Sequence, residues 1–251
     1  MSVIFMTQRS LGVKIFFFSS ALFSGLIVSL TQSWAIDYCS GRVCKAHEIA
    51  TRREDAASNK DRFRLGQFDF YVLALSWSAE FCQRSGNASE QCAENKNLGF
   101  VVHGLWPQFY IGYPLYCRND AVLSANNMER ALKQFPTPRL ARYEWRKHGV
   151  CSGKTPSAYL EDVSKARNLF KIPQSLVDPK DGHTMSLKAL YGDFLKINPN
   201  LHPGMFSINC RHGALTEVRV CISKNLRQYQ LCPQVLRQSC RTSDIFIPSF
   251  H

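Results

Sequence analysis

Apolar and polar positions divide the chain into three stretches. Residues 15–30, IFFFSSALFSGLIVSL, form one short apolar run. Residues 45–64, KAHEIATRREDAASNKDRFR, are charged and offer little to bury, so they are expected to be loosely attached. From Gly66 onward apolar residues recur with the periods of strands and helices. That leaves roughly 185 residues, enough for one sizeable core. FDFYVLALSWS (68–78) is apolar, rich in aromatics and bounded by polar residues, which predicts a buried strand. GFVV (99–102) predicts a short strand running into His103, with Gly104 able to bend the chain and Pro107 ending any pairing. MFSINC (205–210) and the alternating LTEVRVCIS (215–223) predict two more.

Helices are expected between these strands. Thr137-Pro138 starts one that carries residues 143–148 and stops at Gly149. Thr155-Pro156 caps a second, with Leu160, Val163 and Phe170 at helical spacing. Thr184 opens a third, whose Leu187, Leu190, Tyr191, Phe194 and Leu195 make one core-facing stripe. Strands, then helices, then strands is an α+β order. The fold class expected is therefore α+β, a central, mainly antiparallel sheet packed against helices.

Three features of composition change this picture. Arg9 and Lys14 precede the apolar run and SWA (33–35) follows it, the layout of a secretory signal peptide cut after Ala35. The run is short for a membrane span and the cut site follows directly, so no stable membrane association is expected after cleavage. The domains expected are a signal peptide (1–35), a charged extension (36–65) and one folded domain (66–251). Export, secreted or periplasmic, makes an even count of ten cysteines read as disulfides. No C-x-x-C pair suggests zinc, and DYCSGRVC could close a small Cys39–Cys44 loop. Spacing alone does not give the other pairings. Without the signal segment the chain has 29 basic against 19 acidic residues, a net charge of +10 suited to a polyanionic partner.

Candidate chemistry lies in two segments. YEWRKHGVC (143–151) places Glu144, Lys147 and His148 on overlapping helical faces, with Arg146 pointing elsewhere. FVVHGLWPQ (100–108) places His103 at the exit of a buried strand, followed by a turn and Trp106. Such pairs have plainer readings, a solvated ion pair and a core histidine bonded to backbone. Two histidines, a carboxylate and a lysine nevertheless suit RNA cleavage. RNA carries its own nucleophile, the ribose 2′-OH. One imidazole can take its proton, another can protonate the leaving 5′-oxygen, and an ammonium can stabilise the phosphorane. No metal or other cofactor is required. His47, His183, His202, His212 and His251 have no evident partner and read as surface or loop residues.

HGLWPQ (103–108) and EWRKHGVC (144–151) resemble the two catalytic segments of the ribonuclease T2 family. VLALSWSAEFC (72–82) and the order of Cys117, Cys151, Cys210 and Cys240 extend the resemblance over roughly residues 66–240. It implies a metal-independent endoribonuclease acting on RNA as a monomer, with a 2′,3′-cyclic phosphate hydrolysed more slowly to a 3′-phosphate. His148 would be the base and His103 the acid, with Glu144 and Lys147 acting on the phosphate. Trp106 would stack on a base. Many members carry histidine where this chain has Tyr143, which can donate a hydrogen bond but brings no charge. Gln108 stands where some carry an aspartate that contacts the base. The resemblance also implies the pairs Cys82–Cys92, Cys117–Cys151, Cys210–Cys240 and Cys221–Cys232. Two other readings compete: an RNA- or cell-surface-binding protein of the same fold without turnover, and a metal-dependent phosphodiesterase. Intact His103, Lys147 and His148 argue against the first. Lys147 beside the catalytic histidine, where it would repel an ion, argues against the second.

Overall fold

The computed structural model describes residues 64–250 apart from 87, 88, 94, 95, 97, 178 and 180. The expected signal segment, nearly all of the charged extension and the Cys39–Cys44 pair lie outside the described residues. Among the described residues six strands build one sheet: β1 (Phe70–Trp77), β2 (Phe100–Gln108), β3 (His183–Ser186), β4 (Phe206–Arg211), β5 (Ala214–Ser223) and β6 (Asp244–Ile247). Their order is β2-β1-β5-β6-β3, and β4 also pairs with β5. Every pairing is antiparallel except the short β5–β6 contact at Ala214 and Phe246. The α+β reading, with a mainly antiparallel sheet, matches this architecture.

Six helices accompany the sheet among the described residues: α1 (Ser78–Ser85), α2 (Ala125–Ala131), α3 (Pro138–Lys147), α4 (Pro156–Leu169), α5 (Leu187–Ile197) and the single turn α6 (Pro233–Leu236). Thr137 and Thr155 cap α3 and α4, their hydroxyls accepting from the backbone N–H of Leu140 and Ala158, with proline in each first turn. The third expected helix begins later than its first polar residue suggests. Thr184 lies in β3, paired with Phe246, and Ser186 caps α5 by accepting from the Ala189 N–H. A threonine and a serine two apart are equivalent cap signals, and the pairing of 183–186 with β6 decides between them.

One sheet face carries most of the core. Tyr71, Leu73, Leu75 and Trp77 of β1, with Val218, Val220 and Ile222 of β5, pack in one cluster with Trp145 of α3, Tyr159 and Val163 of α4, and Leu190 and Phe194 of α5. Alternation sends Phe70 and Val72 to the other face, where they join Cys221, Cys232 and Val235 in a smaller cluster edged by Trp106. Four disulfides are present among the described residues, Cys82–Cys92, Cys117–Cys151, Cys210–Cys240 and Cys221–Cys232, the pairs implied by the resemblance. His212 and Gly213, both with positive φ, make the tight turn between β4 and β5. His183, His202 and His212 are exposed, as expected of surface residues. No helix among the described residues is long and apolar enough to cross a membrane.

Candidate active site

The site lies on the smaller-cluster face, along the sheet edge formed by β2. Ala74 pairs with Gly104 but Leu75 pairs with Val102, so His103 is an extra residue bulged out of the ladder. The bulge settles which side chains meet. Val102 and Leu105 bury in the main core, while His103 and Trp106 share the opposite face with ring centroids 5.2 Å apart. Strict alternation would put residues three apart on opposite faces. Two expectations are corrected here. His103 sits within a strand rather than at the exit of one, and Pro107 does not end the pairing but lies opposite Tyr71. An edge strand tolerates proline because its outer N–H groups have no ladder partner to lose.

Helix α3 packs against β2 and brings the second segment to the first. His148 is the residue that ends the helix, leaving helical φ/ψ while its N–H still donates to the Glu144 carbonyl at 2.9 Å. Gly149 lets the chain pass close to the core: a Cβ there would lie 2.5 Å from Trp145 and 2.9 Å from Tyr159. The Cys117–Cys151 disulfide and a 2.8 Å bond from the Tyr116 N–H to the Lys147 carbonyl tie the loop after β2 to the end of α3. Closing a loop with a separation of 34 residues restricts the unfolded chain by roughly 4 kcal/mol.

His103, Trp106, Gln108, Tyr143, Glu144, Lys147 and His148 all border one cavity of about 560 Å³. Glu144 is 1 % exposed. The Trp106 indole N–H donates to its Oε2 at 2.6 Å, and its Oε1 lies 3.6 Å from His103 Nε2. Burial raises the Glu144 carboxyl above its ordinary value, opposed by His103, Trp106 and Lys147. Lys147 Nζ donates to the Tyr143 hydroxyl at 2.9 Å. Burial alone would lower this ammonium, but Tyr143, with Tyr116 and Glu144, outweighs it and raises it. His148 is 5 % exposed, and its Nδ1 has no hydrogen-bond partner among the described residues. Burial first, then the charges of Lys147 and His103, push it down to about 3. The Gln108 amide donates to the Pro107 carbonyl. Arg146 is exposed, as its helical position predicts.

Three residues at this site were not singled out by sequence reasoning. Glu217 Oε1 lies 2.6 Å from His103 Nδ1, and the side chain of His103 is 34 % exposed. Burial would lower His103, but the hydrogen bond and charge of Glu217, aided by Glu144, outweigh it and raise it. Arg219 Nε donates to Glu217 Oε2 at 2.5 Å, and its guanidinium lies 5.2 Å from the Trp106 ring centroid. Glu217 would be raised by burial, yet His103 and Arg219 hold it below the usual carboxylate value. Tyr113 lines the cavity from the loop after β2, its ring 6.4 Å from His148. The readable signal was the pair of charges at alternate positions in TEVRVC, which share the face opposite the core.

Gly104 is required where it stands. A Cβ there would lie 2.2 Å from Trp106 Nε1 and 2.3 Å from Glu144 Oε2. Gly104→Ala is therefore expected to break the Trp106–Glu144 hydrogen bond, at about 1–3 kcal/mol of stability. Turnover should fall more than tenfold. Thermal unfolding and kcat on RNA check both, and a variant as stable and active as the parent would contradict this packing.

Fold and site define a disulfide-bonded α+β domain with two inequivalent imidazoles, a buried carboxylate and an ammonium around one cavity. Residues 68–232 match the Ribonuclease T2 family. A ribonuclease of Aeromonas hydrophila is 32 % identical over 196 residues, covering 72 % of this chain and 86 % of its own. Ribonuclease DdI of Dictyostelium discoideum is 29 % identical over 214 residues, covering 78 % of this chain and 92 % of its own. The solved structure of an RNase-related protein from Calystegia sepium matches with a TM-score of 0.60 at 21 % identity, over 72 % of this chain and 97 % of that one, a likeness of fold. The chain belongs to the Ribonuclease T2 family and is an endoribonuclease.

Proposed function

We propose that the protein is exported, by cleavage of its first 35 residues, and acts in the periplasm or outside the cell as a monomeric ribonuclease on single-stranded RNA. The folded catalytic domain would be residues 66–251, preceded by the charged extension. Cleavage runs by transphosphorylation. His148, neutral through its burial, takes the proton of the 2′-OH. The 2′-oxygen bonds to phosphorus as the bond from phosphorus to the 5′-oxygen breaks, and the His103 Nε2 proton goes to that oxygen. Lys147, held by Tyr143, faces the extra negative charge of the phosphorane. Glu144, held by Trp106, sets the spacing between His103 and the phosphate. The products are a 2′,3′-cyclic phosphate, later hydrolysed to a 3′-phosphate, and a free 5′-OH.

Substrate enters along two adjoining cavities. The first holds Trp106, Gln108 and Tyr113, two aromatic faces and an amide, which hold a base by stacking without demanding its identity. The second, of about 1000 Å³, adjoins it at His103, Tyr143, Arg219 and Gln238 and includes Arg84, Arg139 and Arg211, suited to the strand beyond the scissile bond. The observation that carries the reading is that both histidines, Glu144 and Lys147 border the same cavity.

The test is digestion of the four homopolymers in excess chelator, with end-group analysis. Cleavage of all four to cyclic and 3′-phosphate ends, undiminished by chelator, is the expected result. Chelator-sensitive cleavage would favour a metal-dependent phosphodiesterase, and binding without cleavage would favour an inactive RNA-binding protein.

A further inference from the structure

His103 is held from behind by a chain of side chains that begins two strands away. β1 lies between β2 and β5, so Glu217 is roughly 10 Å across the sheet from the β2 backbone, at about 4.8 Å per strand. Two features close that distance. The bulge throws His103 outward, and the β1 residues beneath it on this face, Ala74 and Ser76, are small. Glu217 is fixed in turn: Arg219 Nε donates to Oε2, Ser76 Oγ donates to Oε1 at 3.5 Å, and the far nitrogen of Arg219 donates to Gln238 Oε1. An ionised carboxylate only accepts, so His103 Nδ1 must carry a proton. The other nitrogen, Nε2, is left to face Glu144 and the cavity.

We propose that Glu217, clamped by Arg219, is a positioning residue for His103: it fixes the Nδ1–H form, aims Nε2 at the leaving 5′-oxygen and stabilises the imidazolium needed for the first chemical step. This inference rests on the reading of His103 as the acid. The groups that face His103 are Glu217 and Arg219 from β5, Glu144, Lys147 and His148 from the α3 segment, and the Trp106 ring. The two carboxylates outweigh the cations. Among the described residues His148 has no such carboxylate; its Nδ1 is buried there without a hydrogen-bond partner, beside Lys147.

The asymmetry acts oppositely on the two steps. Transphosphorylation needs a protonated His103, whose Nε2 proton goes to O5′, and a neutral His148, which takes the proton of O2′. Hydrolysis of added cyclic phosphate needs the reverse. Neutral His103 takes a proton from water as the water oxygen bonds to phosphorus, the bond from phosphorus to O2′ breaks, and protonated His148 returns a proton to O2′. A partner that holds the proton on His103 therefore speeds the first step and restrains the second.

The test is E217Q in the full chain, which keeps a hydrogen-bond acceptor and removes the charge. Three substrates are compared across pH: a dinucleoside phosphate, the same nucleotide with 4-nitrophenol as the leaving group, and a 2′,3′-cyclic nucleotide. On the dinucleoside phosphate kcat should fall about 10–100-fold, as for loss of a group that orients a histidine, with KM within about twofold and the alkaline limb moved to lower pH. The nitrophenyl ester should lose less than about threefold, because its leaving group needs no proton. Hydrolysis of the cyclic nucleotide should be retained or faster. A uniform loss on all three substrates with the alkaline limb unmoved would mean a merely structural role and overturn the proposal, as would unchanged kinetics. Should E217Q not fold, E217D, which keeps the charge, should show a smaller kcat loss with the alkaline limb in place; a shifted limb there would overturn it. His103→Ala separates the two levels. If that variant cleaves the dinucleoside phosphate normally, the assignment of His103 itself fails; if it does not while E217Q matches the parent, only the role of Glu217 fails.

Discussion

Replacing His148 with alanine is expected to lower kcat for RNA cleavage by about 10²–10⁴-fold, the contribution of a positioned base, while RNA still binds. The effect should be large because, among the described residues lining the cavity, the carboxylate beside the histidines, Glu144, is already engaged by Trp106 and His103. The parent protein's pH profile follows from the two imidazoles. On the proposed mechanism His148 acts neutral, and it is held down to about 3, so activity should be lost as pH falls through that value. On the same mechanism His103 acts protonated, and it is raised, so activity should be lost as pH rises through a value above 6.5, the ordinary value for histidine. The plateau of kcat/KM should therefore be broad and extend into acid. A profile whose acid limb falls near 6.5 would contradict the burial of His148.

The same burial links His148 to stability. In the unfolded chain this histidine takes a proton near 6.5, but in the folded protein only near 3. Between those values the unfolded state binds more protons, so stability is full above the upper value and declines as pH falls toward the lower one. The alanine variant lacks this linkage. Its Tm should drop less between about pH 7 and about pH 4 than that of the parent, and an equal or steeper drop would count against a neutral buried imidazole.

Removing the nucleophile from the substrate should have the larger effect still. An oligonucleotide with a 2′-deoxyribose at the scissile position is expected to bind, compete with RNA and remain uncut. The cavity walls offer stacking faces, amides and cations that do not depend on the sugar, whereas the proposed transphosphorylation has no attacking oxygen without the 2′-OH. Inhibition constants for matched ribo- and deoxyribo-oligonucleotides should agree within about tenfold, with cleavage confined to the first. Cleavage of the deoxy substrate at a comparable rate would exclude transphosphorylation.

Much of this was legible one segment at a time. Thr137 and Thr155 before proline marked two helix starts because a hydroxyl cap and a preset φ are local effects. The alternating 215–223 stretch marked β5 because a half-buried strand sorts its residues by face. HGLWPQ and EWRKHGVC named the two histidines, the glutamate and the lysine. The start of α5 was misplaced by two residues, since pairing of β3 with β6 removed Thr184 from the contest. Pro107 was misread as ending the strand, because whether proline is tolerated depends on which strand lies at the edge.

The chain's own residues were enough to set the fold class and to single out two short segments that the fold brings to one cavity, because periodicity and capping act over a few neighbouring positions and the segments resemble those of a known family. Folding alone decided that His103 and Trp106 share a face, that Glu217 and Arg219 stand behind His103, and that one imidazole is raised from its ordinary value while the other is lowered. Those outcomes depend on a one-residue bulge, on strand order and on burial. Each arises from contacts between segments distant in the chain, where no local pattern carries the information.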